Sequence, residues 1–129
     1  MFSLTSSHQY LLYRVPTDMR KSFDGLMGLV QNKLKRNPVS GEVFVFINKR
    51  RDRIKLLHWE AGGFVLYYKR LEQGTLELPA MDTESCQITW PQLMMIIEGI
   101  SLKDIRKRAR FSTEKGHKNQ SKIDKKAIL

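Results

Sequence analysis

Residues 42–71 read EVFVFINKRRDRIKLLHWEAGGFVLYYKRL, and this stretch decides the fold. Glu42–Ile47, apolar at every position from Val43 onward, reads as a central strand buried on both faces. Lys49-Arg50-Arg51-Asp52-Arg53-Ile54-Lys55 follows, with five positive charges and one negative in seven residues, where a turn between apolar runs is expected. Arg53–Trp59 reads as a second strand, Ala61-Gly62-Gly63 as a hairpin turn, and Phe64–Leu71 as a third, aromatic strand. Glu72-Gln73-Gly74 turns again, and Thr75–Leu78 reads as a short edge strand. Strands spaced by about ten residues predict an antiparallel meander.

Working outward, Gln9–Val15 alternates weakly and reads as a strand that Pro16 ends, because proline lacks a ladder N–H. Thr17-Asp18 and Ser22 offer oxygens for a turn or helix cap. Phe23, Leu26, Met27, Val30 and Leu34 then share one helical face. Gly25 and Gly28 weaken that helix and suit close packing. Lys33, Lys35 and Arg36 crowd its end, where the helix dipole favours cations, and Asn37-Pro38-Val39-Ser40-Gly41 stops it. Beyond the sheet, Pro79–Gln87 reads as a linker. Thr89 reads as the cap of a second helix, with Pro91 in its first turn, Leu93, Met94, Ile96 and Ile97 on its apolar face, and Gly99 at its end.

The expected fold is therefore α+β: an antiparallel sheet of four to five strands packed on the first helix, a second helix after the sheet, and a basic C-terminal tail. The chain has 129 residues, of which 41% are hydrophobic and 28% charged, which fits one folded domain. We assign residues 1–100 to that domain and 101–129 to a mobile tail, in which Leu102, Ile105 and Ala109 give 102–111 a helical spacing. The formal net charge is +10. Residues 1–100 hold 13 Lys/Arg against 10 Asp/Glu, whereas 101–129 hold 10 against 3. An excess of this kind points to a polyanionic partner. Cys86 is the only cysteine, which excludes an internal disulfide framework and a Cys-clustered zinc site. His8, His58 and His117 are scattered, and no nucleophile elbow or Gly-rich phosphate loop is present. The reading is of no catalytic constellation, no metal and no cofactor. Apolar runs of about five residues are too short for a membrane span, which takes roughly 20. Met1–Tyr10 lacks the charge and apolar core of an export signal, so a cytoplasmic location is expected.

Several stretches resemble one family in order along the chain. Thr17-Asp18-Met19-Arg20-Lys21-Ser22-Phe23-Asp24-Gly25-Leu26 resembles its hallmark TDMRKxFDGL. Ser40–Phe46 resembles SGxxFVF, Arg51–Glu60 resembles RxDRIKxLxW, Gly63–Glu72 resembles GFxLxxKRLE, and Leu93–Ile100 resembles a closing LxxLLEGI-type helix. These are the motifs of the small second-frame accessory protein, TnpB, of the insertion-sequence sixty-six group of bacterial mobile elements. The resemblance covers about residues 10–100. It implies a bacterial protein encoded beside a DDE transposase and needed for efficient transposition. It supplies no catalytic residues to carry over, and it is distinct from the RNA-guided nuclease of the same name.

The candidate nucleic-acid-binding residues form three groups in the domain and a fourth in the tail. The first is the basic turn, Lys49, Arg50, Arg51, Arg53 and Lys55, where guanidinium forks match phosphate oxygens and position rather than read bases. Arg20 and Lys21, beside the first helix, form the second, a binding or docking surface; the alternative is that this segment caps the helix and pairs Asp18 with a nearby base. The third is Lys69 and Arg70, interleaved with Trp59, Phe64, Tyr67 and Tyr68, aromatics that serve either as a core face or as stacking surfaces for single strands. The tail adds Arg106, Lys107, Arg108 and Arg110, a basic arm with sequence-independent affinity for DNA. Asp52, amid bases, reads as an ion-pair partner that orders the turn. The expected function is a non-enzymatic accessory factor for transposition that binds DNA at element ends, assists the transposase, or both. Two further readings are open: a module docking the transposase without touching DNA, and a metal-dependent nuclease using Glu42, Asp52 and Glu60.

Overall fold

The structure, a computed structural model, describes residues 4–101 and 106–107. Its elements in order are β1 (Tyr10–Tyr13), α1 (Phe23–Asn32), β2 (Val43–Ile47), β3 (Arg53–Glu60), β4 (Gly63–Arg70), β5 (Ser85–Ile88), α2 (Trp90–Glu98), β6 (Ile100–Ser101) and β7 (Arg106–Lys107). Five strands form one mixed sheet in the order β4-β3-β2-β1-β5. The α+β class is as expected, and the sheet is mostly antiparallel.

One pairing departs from the meander. β1 runs parallel to β2, with Tyr10 opposite Val43 and Tyr13 opposite Phe46. The physical reason is the connection: α1 lies between the two strands, and a helical crossover returns the chain to the same end of the sheet. β1 is therefore an inner strand, flanked on its other side by β5, with Leu12 opposite Cys86. Thr75–Leu78 is not a strand. Gly74 turns the backbone at φ 80°, Leu76 enters the core, and its N–H bonds Arg51 O at 2.6 Å instead of a ladder. The segment assigned to a linker supplies the edge strand, β5, and places Cys86 in the core, where burial pushes its thiol pKa up.

Both faces of the sheet are covered, which explains why β2 is buried at all five positions. On one face Leu26 and Val30 of α1 pack on Leu11, Tyr13, Phe44, Phe46 and Leu57. On the other, Leu93, Ile96 and Ile97 of α2 pack with Leu12, Val43, Val45, Ile54 and Leu56. Phe23, placed by periodicity on the buried face of α1, is 43% exposed. α1 ends at Asn32 with Lys33 as its C-cap, so the basic cluster expected in its last turn lies just beyond it, and Lys35 takes a left-handed φ of 57°. A Cβ at Gly25 would approach Lys21 Cβ to 3.0 Å, so close packing holds there, whereas Gly28 faces open space. The cap of α2 is as read: Thr89 and Gln92 form a reciprocal capping box, and Gly99 closes the helix at φ 81°. Arg106–Lys107 pairs with Ile100–Ser101 as an antiparallel strand, so the helix spacing over 102–111 is not realised there. Arg108, Arg110 and the rest of the tail lie outside the described residues.

Candidate functional site

The basic turn is rigid for reasons local to its sequence. Asn48 Oδ1 accepts the backbone N–H groups of Asp52 and Arg53, each at 3.0 Å. Asn48 Nδ2 donates to Asp52 Oδ1 at 2.6 Å. Arg51 N–H closes the turn on Asn48 O at 3.1 Å, with Arg51 itself at φ 58°. The next loop buttresses it from behind: Leu71 N–H bonds Asp52 O at 2.7 Å. Asp52 thus orders the turn as expected, but by bonding an amide rather than an ion-pair partner. Asn48 is the organising residue that sequence reasoning missed. Its signal was present, since asparagine opening a turn bonds backbone groups a few residues on.

Arg20 and Lys21 come to the same end of the sheet. Because β1 and β2 are parallel and adjacent, the segments leaving them run side by side. Thr17 N–H bonds Ile47 O at 2.9 Å, and Thr17 is buried. Asp18 is an exposed capping group for its own turn, accepting the Arg20 N–H at 2.9 Å, while Ser22, which precedes α1, makes no side-chain cap bond. A cleft of about 600 Å³ opens between the two segments, lined by Pro16, Thr17, Asp18, Met19 and Arg20 on one side and Asn48, Lys49, Arg50, Asp52 and Arg53 on the other. Two motifs some 30 residues apart in sequence therefore share one surface.

The cleft carries four bases against two carboxylates. Arg20 holds Asp18 in a forked ion pair, Nη2 to Oδ2 at 2.7 Å, with its side chain 92% exposed. That hydrogen bond, more than any other interaction, holds the Asp18 carboxyl down at about 2. The side chains of Lys49, Arg50 and Arg51 are exposed, and among the described residues they make no ion pair. An anion bound there would displace no ion pair. Arg53 reaches Tyr68 Oη at 3.3 Å.

Lys55 is a correction. It is 5% exposed, and its ammonium donates to Met19 O and Lys21 O, both at 2.7 Å, while lying 4.5 Å from the centre of the Tyr68 ring. Alternation along β3 points it under the Pro16–Lys21 segment and not into solvent. Its role is to pin that segment to the sheet. Register divides the last pair: Arg70 lies opposite Arg53, on the α1 face beside the turn, whereas Lys69 lies opposite Ile54 on the other face. Arg70 is also paired with Glu72 at 2.7 Å. Of the aromatics, Trp59 and Phe64 pack edge to face at 5.0 Å, Tyr67 packs against the α2-side core, and Tyr68 alone among them is largely exposed.

The nuclease acids do not converge. Glu42 is bonded by Arg36 and Ser40, and Asp52 and Glu60 lie at opposite ends of β3. His8 and His58 stack edge to face at 4.8 Å near the Glu60 end. Among the described residues no group of three or more His, Cys, Asp or Glu is placed to hold a metal ion, and no helix is long and apolar enough to cross a membrane.

Fold and site define a small α+β protein, helices on both faces of a mixed sheet, with a basic cleft where two parallel strands end. Residues 8–107 match the family described as IS66 Orf2-like protein, and the chain belongs to that family, whose members are associated with insertion-sequence transposition. Two relatives come from Sinorhizobium fredii. The uncharacterized protein y4jC is 28% identical over 93 residues, covering 72% of this chain and 80% of its own. The uncharacterized protein y4hO is 34% identical over 84 residues, covering 65% and 73%. No solved structure matches significantly.

Proposed function

We propose that this protein is a DNA-binding accessory factor for transposition, and that its cleft between Pro16–Arg20 and Asn48–Arg53 grips the phosphate backbone near element ends. The observation that carries this reading is convergence: two basic motifs, distant in sequence, are fixed by Asn48 and Lys55 around one open cleft. Exposed guanidinium groups on a rigid turn lose little conformational freedom on meeting phosphates. The basic tail adds further phosphate contacts and a steeper salt dependence. The cognate transposase is the second partner, held on the DNA that this protein occupies.

The test is charge reversal of Arg50, Arg51 and Arg53 in the full chain, with duplex affinity measured across a salt series. Each lost phosphate contact lowers the slope of log K against log salt by about 0.9, so the triple variant loses about two to three units of slope while its thermal midpoint holds. Unchanged affinity and slope would remove the cleft from DNA binding and leave transposase docking as the function of this surface.

A further inference from the structure

Tyr68 stands out among the aromatic residues of the sheet. It is 48% exposed and lies beside the cleft without lining it: its hydroxyl meets Arg53, a lining residue, at 3.3 Å, and the Lys55 ammonium that pins the Met19 and Lys21 carbonyls lies 4.5 Å from its ring centre. Lys55 lies directly across the strand pair from Tyr68 and is 5% exposed. The ring face it covers is therefore the inner one, and the exposure of Tyr68 belongs to the opposite face and the rim. A cation beneath one face and a hydrogen bond at the hydroxyl fix the ring in place. What remains is an oriented aromatic surface beside a guanidinium that lines the cleft.

We infer that Tyr68 is a stacking platform for an unpaired nucleobase, so that the cleft takes single-stranded DNA, with Arg53 holding a phosphate of the same nucleotide or its neighbour. This rests on the reading of the cleft as a DNA site and narrows its substrate. A base inside a duplex presents only its edges in the grooves, so it has no face to give to Tyr68. An unpaired base has one, and stacking of this kind tolerates any sequence. The neighbouring geometry suits such a strand: phosphates run along Arg50 and Arg53, and the base turns outward onto the ring.

The experiment compares full-length protein with Tyr68→Phe and Tyr68→Leu on a 20-nucleotide single strand and a blunt two-strand duplex of about ten base pairs, which carries about the same number of phosphates, at one salt concentration. Tyr68→Phe keeps the ring and stays within about threefold of the native protein on both. Tyr68→Leu loses roughly five- to a hundredfold on the single strand, the range for one stacked base, and less than twofold on the duplex. A strand carrying 2-aminopurine gives a second readout that needs no variant: its fluorescence falls when the base stacks on native protein. Equal losses on both DNAs, an unchanged single-strand affinity in Tyr68→Leu, or unquenched 2-aminopurine would each overturn the stacking role while leaving duplex binding by the cleft intact. Binding of neither DNA by the native protein would overturn the DNA reading and the stacking role together.

Discussion

Replacing Lys55 with methionine tests how the site is held together. The ammonium donates two hydrogen bonds to backbone carbonyls and lies over a tyrosine ring, with no carboxylate beside it among its bonded partners. Hydrogen bonds from a charged donor contribute about 1.5–3 kcal/mol each, and a cation over an aromatic face adds about 1 kcal/mol. Against this stand the several kcal/mol needed to desolvate the ammonium, which methionine avoids, and the apolar burial that its thioether chain retains. The net expectation is a loss of about 2–3 kcal/mol, because two carbonyls over the sheet lose their donor. For a domain of this size that lowers the thermal midpoint by roughly 8–12 °C. The loss is local in origin, so amide exchange of residues 17–22 accelerates well beyond that of β2, which remains buried between the helices. Urea unfolding with exchange mass spectrometry reads both effects. A Lys55→Met protein as stable as the native one, with unchanged exchange at 17–22, would refute the argument that Lys55 pins the segment.

Three other outcomes follow from the same geometry. Thr89→Ala removes one half of the capping box of α2 and costs about 1 kcal/mol in urea unfolding, whereas Thr89→Ser restores most of it. Asn48→Ala strips the turn of both backbone acceptor bonds and its bond to Asp52; it costs about 2 kcal/mol and weakens DNA binding although no base is removed, and an affinity equal to native would separate turn order from binding. The Asp18 carboxyl lies at about 2 instead of 3.8, so its pair with Arg20 is fully formed above the ordinary carboxylate value and is lost as pH falls through about 2. In Arg20→Gln its NMR titration midpoint rises toward 3.8, and an unmoved midpoint would show that Arg20 is not the cause.

The sequence revealed most where one residue pattern had one physical outcome. Five consecutive apolar residues between two turns have nowhere to go but the centre of a sheet, and Thr89, Pro91 and Gly99 mark both ends of α2. It revealed less where pairing was decided at long range. Nothing in Ser85–Ile88 says that its partner is Tyr10–Tyr13, some 75 residues earlier, so β5 read as a linker. The parallel direction of β1 follows from the crossover by α1, a consequence of topology and not of either strand's composition. The site divides along the same line. The exposed bases of the turn were legible from charge alone. Lys55 was not, because charge does not say which way a strand residue points, and β3 register turns it inward. That Arg20 and the turn share a cleft needed β1 and β2 to be neighbours. Arg108 and Arg110, together with the rest of the arm, lie outside the described residues, and the proposal that they contact DNA rests on charge alone.

The central claim is that two motifs make one DNA site, and amide chemical-shift titration of the full chain with a short element-end DNA tests it most directly. Residues 17–21 and 49–53 should shift together and saturate on a single isotherm, with α2 and β5 unmoved. Shifts confined to one motif, or separate isotherms for the two, would contradict a shared cleft.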